Sequence, residues 1–228
     1  MRSAIAYRPA AILIPAGVAG FSKLGGVPDL PEGMSPPRGA NSPMRFVAQI
    51  ELEAARSAGL DWLPGAGAVY VFCSEKLHDG PEFVKVIHGP VGGTASRSAG
   101  AVAHQHVALL PARSSPSSVW LGVQDDFQAT VESINPIQPL SLKSPHHQLG
   151  GYPDEIQPER LSRECARRAG EQWSLPEDPE SWRLLLQIDS DPDLKLEFGD
   201  GGRLFIFVRD IDAKACDFTR TISIWQTY

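Results

Sequence analysis

Three short segments of this chain occur twice, in the same order, and this repetition is the feature that most limits the folds it can adopt. Each match is short, but all three keep one order at similar separations, so we predict a tandem duplication of one structural unit. The matched pairs are LGGVPD at 24–29 with LGGYPD at 149–154, MRFVAQIE at 44–51 with WRLLLQID at 182–189, and GAVYVF at 67–72 with GRLFIF at 202–207.

Each copy predicts the same local structure. A short strand leads into a Gly-Gly-x-Pro-Asp turn, because glycine tolerates positive φ and proline fixes φ near −65°. Residues 44–51 and 182–189 alternate with a period of two, which predicts strands with the even-numbered residues on one face and the odd-numbered residues on the other. We expect the amides of Gln49 and Gln187 to bond a neighbouring backbone, since a half-buried amide needs partners.

The remaining segments predict further strands and a few helices. The fold class expected is α+β, predominantly β, in which a strand–Gly-Gly turn–strand–hairpin unit is duplicated to form one compact pseudo-symmetric domain. Its two repeats would span about 10–112 and 118–228. The other predicted elements are strands at 10–15, 83–89, 106–112, 118–123 and 221–228, helices at 51–58 and 158–173, loops at 91–102 and 113–118, and a last helix capped by Asp210 or Asp212.

Composition excludes several classes of function. The 27 acidic and 21 basic residues give a net charge of −6, without a basic patch for nucleic acid or an anionic membrane surface. The three cysteines are far apart and form no Cys-x-x-Cys pair, so we expect free thiols in a reducing compartment. Pro15 interrupts the apolar stretch at 10–20, which favours a strand over a signal peptide. We therefore expect a cytoplasmic protein.

The segments SKLGGVPDLP, PMRFVAQIEL, HQLGGYPDEIQ, WRLLLQIDSD and FGDGGRLFIFVRDID resemble the YwqG-like family, a bacterial domain of unknown function, over roughly residues 20–228. Phe198 departs from the family pattern, which often has tryptophan there. The resemblance implies a cytoplasmic α+β protein of mainly β character without an established activity. It also implies relatives that act beside bacterial toxin systems as immunity-type or housekeeping binding proteins.

The two copies of the turn carry different polar residues. The first has Ser22, Lys23 and Val27 where the second has histidines, an amide and a tyrosine. This divergence is typical of a site kept in one copy, and also of neutral change on a surface. We predict that a protein or small ligand binds the second copy. The predicted ligand-binding residues are His146, His147, Gln148, Tyr152, Gln187, Asp189 and Asp191.

Catalytic and metal-binding interpretations are weaker. The carboxylates at 189–193 could suit a hard cation, but a calcium loop needs glycine at its sixth position, where Leu194 stands. His104 and His106 would share one strand face, with no acidic residue at ligand spacing. We expect no cofactor and no metal.

Three functions stay open, and the first is favoured. They are a non-catalytic intracellular binding protein, a metal-assisted hydrolase, and a structural domain without a ligand of its own. The hydrolase would use His146 or His147 with Asp189, Asp191 or Asp200. Distances between these rings and carboxylates, and the presence of a concave site around them, discriminate the hypotheses.

Overall fold

A computed structural model describes residues 7–39, 43–75, 83–92, 103–117 and 145–228. The strand predicted at 118–123 lies outside these residues, as does most of the loop predicted at 91–102. The elements are β1 (Arg8–Pro15), β2 (Lys23–Gly25), β3 (Met44–Glu51), α1 (Leu52–Ser57), β4 (Ala68–Ser74), β5 (Val84–Gly89), β6 (His104–Ser114), β7 (His147–Gly150), α2 (Leu161–Trp173), a 3-10 turn (Pro179–Ser181), β8 (Trp182–Asp189), β9 (Arg203–Arg209), α3 (Asp210–Lys214) and β10 (Ile222–Gln226).

The ten strands form one antiparallel sheet in the order β10-β9-β8-β7-β1-β6-β2-β3-β4-β5. The predominantly β, α+β class is confirmed. We call β2–β5 the N-terminal half of the sheet and β7–β10 the C-terminal half. Between them lie β1 and β6, which pair with each other over eight residues of each strand. β1 also pairs with β7 and β6 with β2, so the first strand of the chain extends the C-terminal half.

Most predicted elements are confirmed close to their expected bounds. The alternating segments become β3 and β8 over the ranges read from the sequence. β3 is followed by α1, and β8 is preceded by the 3-10 turn. α2 buries Leu161, Cys165 and Ala169, the four-residue repeat that predicted it. β6 is longer than expected, because Arg113 and Ser114, assigned to a loop, still pair with β1.

The predicted alternation of faces along β3 and β8 is wrong, because each strand contains a β-bulge. The register shifts between Phe46 and Ala48 in one strand and between Leu184 and Leu186 in the other. An extra residue in a bulge reverses the side that the following residues face. Phe46 therefore packs in a different core cluster from Ala48, and Leu184 in a different one from Leu186.

The two strand faces build different cores. The largest cluster combines residues of both halves of the sheet, including Ile50 and Val71 from one and Leu186 and Ile206 from the other. On the opposite face, α2 covers β8–β10 in the C-terminal half. Both faces of β3 and of β8 are thus buried, which explains why 46–50 and 184–189 have no exposed residue.

The predicted cap of the last helix is also wrong. Arg209 is the N-cap of α3, and no side chain bonds the free backbone groups there. Asp210 pairs with Arg183, and Asp212 with Arg209 at 2.6 Å. The two carboxylates are held by arginines and do not cap the helix.

No helix in the described segments has the length and apolar character needed to cross a membrane.

Replacing Gly151 by alanine is expected to cost about 1–3 kcal/mol more than replacing Gly201, which tests the packing of the second Gly-Gly turn. Both have positive φ, +79° and +65°, so both alanine variants are strained. A Cβ at 151 would lie 2.9 Å from Ala10 Cβ, whereas one at 201 meets nothing within 4 Å. Denaturant unfolding of both variants measures the difference, and equal losses would contradict it.

Candidate functional site

The structure brings the predicted site residues together at the junction of β7 and β8. Gln148 lies opposite Gln187 in the sheet, so the residues at 146–148 and at 187–191 are neighbours. Of the seven predicted site residues, all except His146 are less than 9% exposed, and the His146 side chain is 11% exposed. The residues form a polar cluster that is mostly internal, which we call the His–Asp cluster: His146, His147, Gln187, Asp189, Asp191 and Arg203.

Both ring nitrogens of His147 have partners. The backbone N–H of Asp189 donates to Nδ1 at 3.3 Å, and Nε2 lies 3.4 Å from Asp191 Oδ2. Because Nδ1 accepts, the proton of the neutral ring is on Nε2, from which it is donated to the carboxylate. His147 therefore joins the end of β8 to the loop that follows, and neither nitrogen is left for proton transfer with a substrate.

His146 is held by Asp189 and Gln187. Its backbone N–H donates to Asp189 Oδ2 at 3.0 Å, and its Nε2 lies 3.0 Å from Gln187 Nε2. The Gln187 amide N–H donates to this nitrogen, since Oε1 of the same amide accepts the Asp154 N–H at 3.0 Å. The ring proton then resides on Nδ1, which is 3.6 Å from Asp189 Oδ2. That separation is an electrostatic contact and exceeds hydrogen-bond length.

The bonding of Gln187 has a counterpart in the N-terminal half. Gln49 Oε1 accepts the Asp29 N–H at 2.9 Å, and its Nε2 donates to Phe21 O at 2.7 Å. In both halves a buried glutamine, on β3 in one and on β8 in the other, thus accepts a hydrogen bond from the backbone N–H of the aspartate that ends the Gly-Gly-x-Pro-Asp turn. The prediction that Gln49 and Gln187 bond a neighbouring backbone is confirmed.

Arg203 is the cluster residue that sequence reasoning missed. Its Nε donates to Asp189 Oδ1 at 2.6 Å, and Nη1 donates to the carbonyl oxygen and the carboxylate of Asp154. Arg203 is 7% exposed, so a buried cation neutralises the buried Asp189. The signal available in the sequence was the arginine that stands in GRLFIF where the first copy has Ala68.

Tyr152 and Gln148 make hydrogen bonds within and around the second Gly-Gly-x-Pro-Asp turn. Gln148 Nε2 donates to Gly150 O at 2.8 Å and to Tyr152 O at 3.0 Å. The Tyr152 N–H donates to Ser114 Oγ at 2.7 Å, and the Arg8 guanidinium lies 4.4 Å from the centre of its ring. These contacts fix the turn to β1 and β6, in the middle of the sheet.

The acidic loop after β8 is bonded within itself. Asp191 Oδ1 accepts the backbone N–H groups of Asp193 and Leu194, a common turn geometry for aspartate. Asp200, a candidate partner for the histidines, is exposed on the turn before β9. In the described segments no three His, Cys, Asp or Glu side chains are grouped as metal ligands would be.

Burial lowers the pKa of both histidines, although nearby carboxylates oppose the shift. The folded protein therefore favours neutral rings, whereas the unfolded chain binds protons from about pH 6.5 downward. The stability that the two rings contribute is present above this pH and is lost as the pH falls below it.

The free energy of unfolding is accordingly expected to fall below pH 6.5 by up to about 1.4 kcal/mol per pH unit for each histidine. Denaturant titrations across this range measure the slope. An H146Q/H147N variant should not lose stability as the pH falls through this range, and H104Q, at an exposed position of β6, should keep the wild-type slope. Identical slopes in all three proteins would contradict the assignment.

The fold and this cluster place the chain among proteins with a ten-stranded antiparallel sheet and a buried ionic network. Residues 22–227 match the family described as a domain of unknown function (DUF1963), and the chain belongs to that family. A search of curated proteins found no match.

Proposed function

We propose that this protein is a non-catalytic binding protein whose C-terminal half docks a positively charged partner protein. The observation that carries this proposal is that most ionisable groups of the His–Asp cluster are bonded to one another, while the ring nitrogen without a hydrogen-bond partner, His146 Nδ1, is buried. Both nitrogens of His147 are occupied, and Asp189 is held by Arg203 and by the His146 N–H. A catalytic base or nucleophile needs a free, accessible atom, and this cluster offers its atoms to its own neighbours.

The charge distribution supports a basic partner. Residues 145–228 carry sixteen Asp and Glu and ten Lys and Arg, whereas residues 1–144 carry eleven of each. The whole net charge of −6 therefore belongs to the segment that forms the C-terminal half. A segment with this net charge attracts a basic partner and repels an acidic one.

The contact residues in this proposal are those at the rim of the cluster. The Asp154 side chain is 56% exposed, and Tyr228 is 79% exposed. Both are in contact with Arg203, which links them to the interior. The seven residues predicted to bind a ligand then hold this rim in position, and Asp154 and Tyr228 meet the partner.

A charge reversal tests the proposal. Wild-type protein, D154R and D61R are immobilised and exposed to a lysate of the source cells, and a captured protein is purified for affinity measurements at low and high salt. Asp61 is an exposed aspartate outside the C-terminal half and serves as the control. We expect D154R to weaken binding about tenfold or more and D61R to leave it unchanged. A partner that binds D154R normally and without salt dependence would refute the docking face.

A metal-assisted hydrolase is the second candidate, favoured by the two imidazole–carboxylate pairs at 3.6 and 3.4 Å. It predicts turnover of an ester, phosphoester or glycoside in the presence of Zn²⁺, Mn²⁺ or Mg²⁺, and loss of turnover in H146A or H147A. The binding proposal predicts no turnover in this panel and partner affinity that depends on Asp154.

We further infer that the chain is YwqG-like, cytoplasmic and of the immunity type, and that its halves descend from a duplication. Matched bulges in β3 and β8 support the duplication, as do paired Gly-Gly turns with φ of +66° and +79° in one half and +68° and +79° in the other. Three free cysteines support a reducing compartment. The strand order supports repeat bounds that differ from the predicted 10–112 and 118–228, because with β1–β5 and β6–β10 as repeats each gives its first strand to the other half of the sheet.

A further inference from the structure

A cavity of about 350 Å³ lies in the N-terminal half, between α1, the segment before β2, and β6. None of its lining residues belongs to the His–Asp cluster. Its volume is at the lower end of the range typical of small-molecule sites.

Most of the cavity wall is apolar. Phe21 lines one side, and Val107, Leu109 and Pro111 of β6 line another. The Phe21 ring packs edge-on against Tyr70 with 6.1 Å between ring centres, which restrains its position. Small residues of α1, including Ala54, leave the space open. These surfaces suit a compact hydrocarbon or aromatic group.

Of the described residues that line the cavity, Glu51 alone has a charged side chain. It stands at the N-cap position of α1 but makes no capping bond through its side chain. Within the described segments its carboxylate has no hydrogen-bond or ion-pair partner, in contrast to the paired Asp189 of the other half. Among the described residues no lysine or arginine lines this space, so an anionic ligand would meet an unbalanced negative charge.

Ser22, which lines this space, stands where the other half has His147. Its Oγ accepts the backbone N–H of Glu51 at 3.0 Å. In the C-terminal half the Asp189 N–H is accepted by His147 Nδ1, so an imidazole makes the equivalent bond. The serine makes it with a much smaller side chain, and the cavity opens beside it.

We propose that this cavity binds a small organic cation, a primary ammonium group on a compact apolar body. The ammonium pairs with the Glu51 carboxylate, while the apolar body packs between Phe21 and β6. A charge-assisted bond in a partly desolvated site is the specificity element, and the apolar wall supplies contact area. This site is separate from the docking face of the C-terminal half.

The test uses 2-phenylethylammonium as the probe and 2-phenylethanol as its neutral match of equal size. Binding to the full chain is followed by protein NMR shifts or calorimetry at millimolar probe concentration. We expect the amine to bind at least about tenfold more tightly than the alcohol, and E51Q to remove this preference. E53Q, which removes an exposed carboxylate of α1 outside the cavity, should behave as wild type.

A second variant fills the space without changing charge. A54L should abolish amine binding, and its thermal unfolding shows whether it has folded. D154R should bind the amine normally, which separates this site from the docking proposal. The inference is overturned if the amine does not bind, if the alcohol binds equally well, or if folded E51Q and A54L both bind like wild type.

Discussion

Replacing Arg203 by methionine is expected to lower the free energy of unfolding by about 3–5 kcal/mol, because it leaves a buried carboxylate without its cation. Asp189 is 3% exposed, and Arg203 Nε donates to its Oδ1 at 2.6 Å. The same guanidinium donates to the Asp154 backbone oxygen at 2.8 Å, so the loss also frees the end of the turn. Methionine keeps much of the aliphatic stem, and the effect therefore reports the charge more than a cavity. Denaturant unfolding at neutral pH measures it.

Two further variants separate the charge effect from general damage. R163M removes an exposed arginine of α2 and should change stability by no more than about 0.5 kcal/mol. R203M/D189N removes both charges and should recover a large part of the loss, since no unpaired ion then remains buried. If R203M is as stable as wild type, the ion pair does not hold the cluster together.

Replacing Glu155 by glutamine is expected to raise the free energy of unfolding above neutral pH and to change it little in mild acid. Burial is the main cause that raises the pKa of Glu155 from 4.5 to about 7, and the Ser117 hydroxyl, bonded to Oε2 at 2.6 Å, opposes the shift. Its other oxygen, Oε1, is buried without a partner. Between these pH values the folded protein holds a proton that the unfolded chain releases. The stability from this group is complete below pH 4.5 and is lost as the pH rises to 7.

The expected gain for E155Q at about pH 8 is about 3 kcal/mol, because glutamine has no charge to bury. At about pH 4 the difference should nearly vanish, since the wild-type carboxyl is then mostly protonated in both the folded and the unfolded chain. E159Q, an exposed position four residues on, is the control and should follow wild type at both pH values. Unfolding free energies of E155Q and wild type that stay parallel from pH 5 to 8 would contradict a buried protonated carboxyl.

Glu155 and the two histidines act with opposite sign in the same pH range. Acidification below pH 6.5 removes stability through His146 and His147, and alkalinisation from pH 4.5 to 7 removes it through Glu155. The wild-type profile is the sum of these effects. The E155Q variant should therefore reveal a steeper loss of stability in acid than the wild type shows.

Local structure could be predicted from the sequence where it depends on near neighbours. The Gly-Gly turns and the bounds of β3 and β8 follow from backbone preference and from a period of two. The bulges in the same strands could not be predicted. A bulge is decided by pairing with β4 and β9, so the sequence of the bulged strand alone contains no signal for it.

The sequence predicted the part of the candidate site that lies in the turn and the strand end, and it did not predict the distant residue that completes the site. The difference between the two turn copies directed attention to His146 and His147, which do lie beside Asp189 and Asp191. Arg203, which neutralises this group, is far from them in the sequence. The cavity beside Glu51 depends on the space left between α1 and β6, and no pattern in one segment describes such a space.

The sequence by itself determined the predominantly β character, the repeated turns and the polar residues that distinguish them, because each depends on the side chains of a few adjacent residues. The tertiary structure decided which strands share a half of the sheet and which charges pair. β1 joins the C-terminal half and β6 the N-terminal half, although the chain order gives no indication of this exchange. Strand pairing depends on burial of both faces across the whole sheet, and that burial also turns His146, His147, Asp189 and Asp191 inward, toward one another.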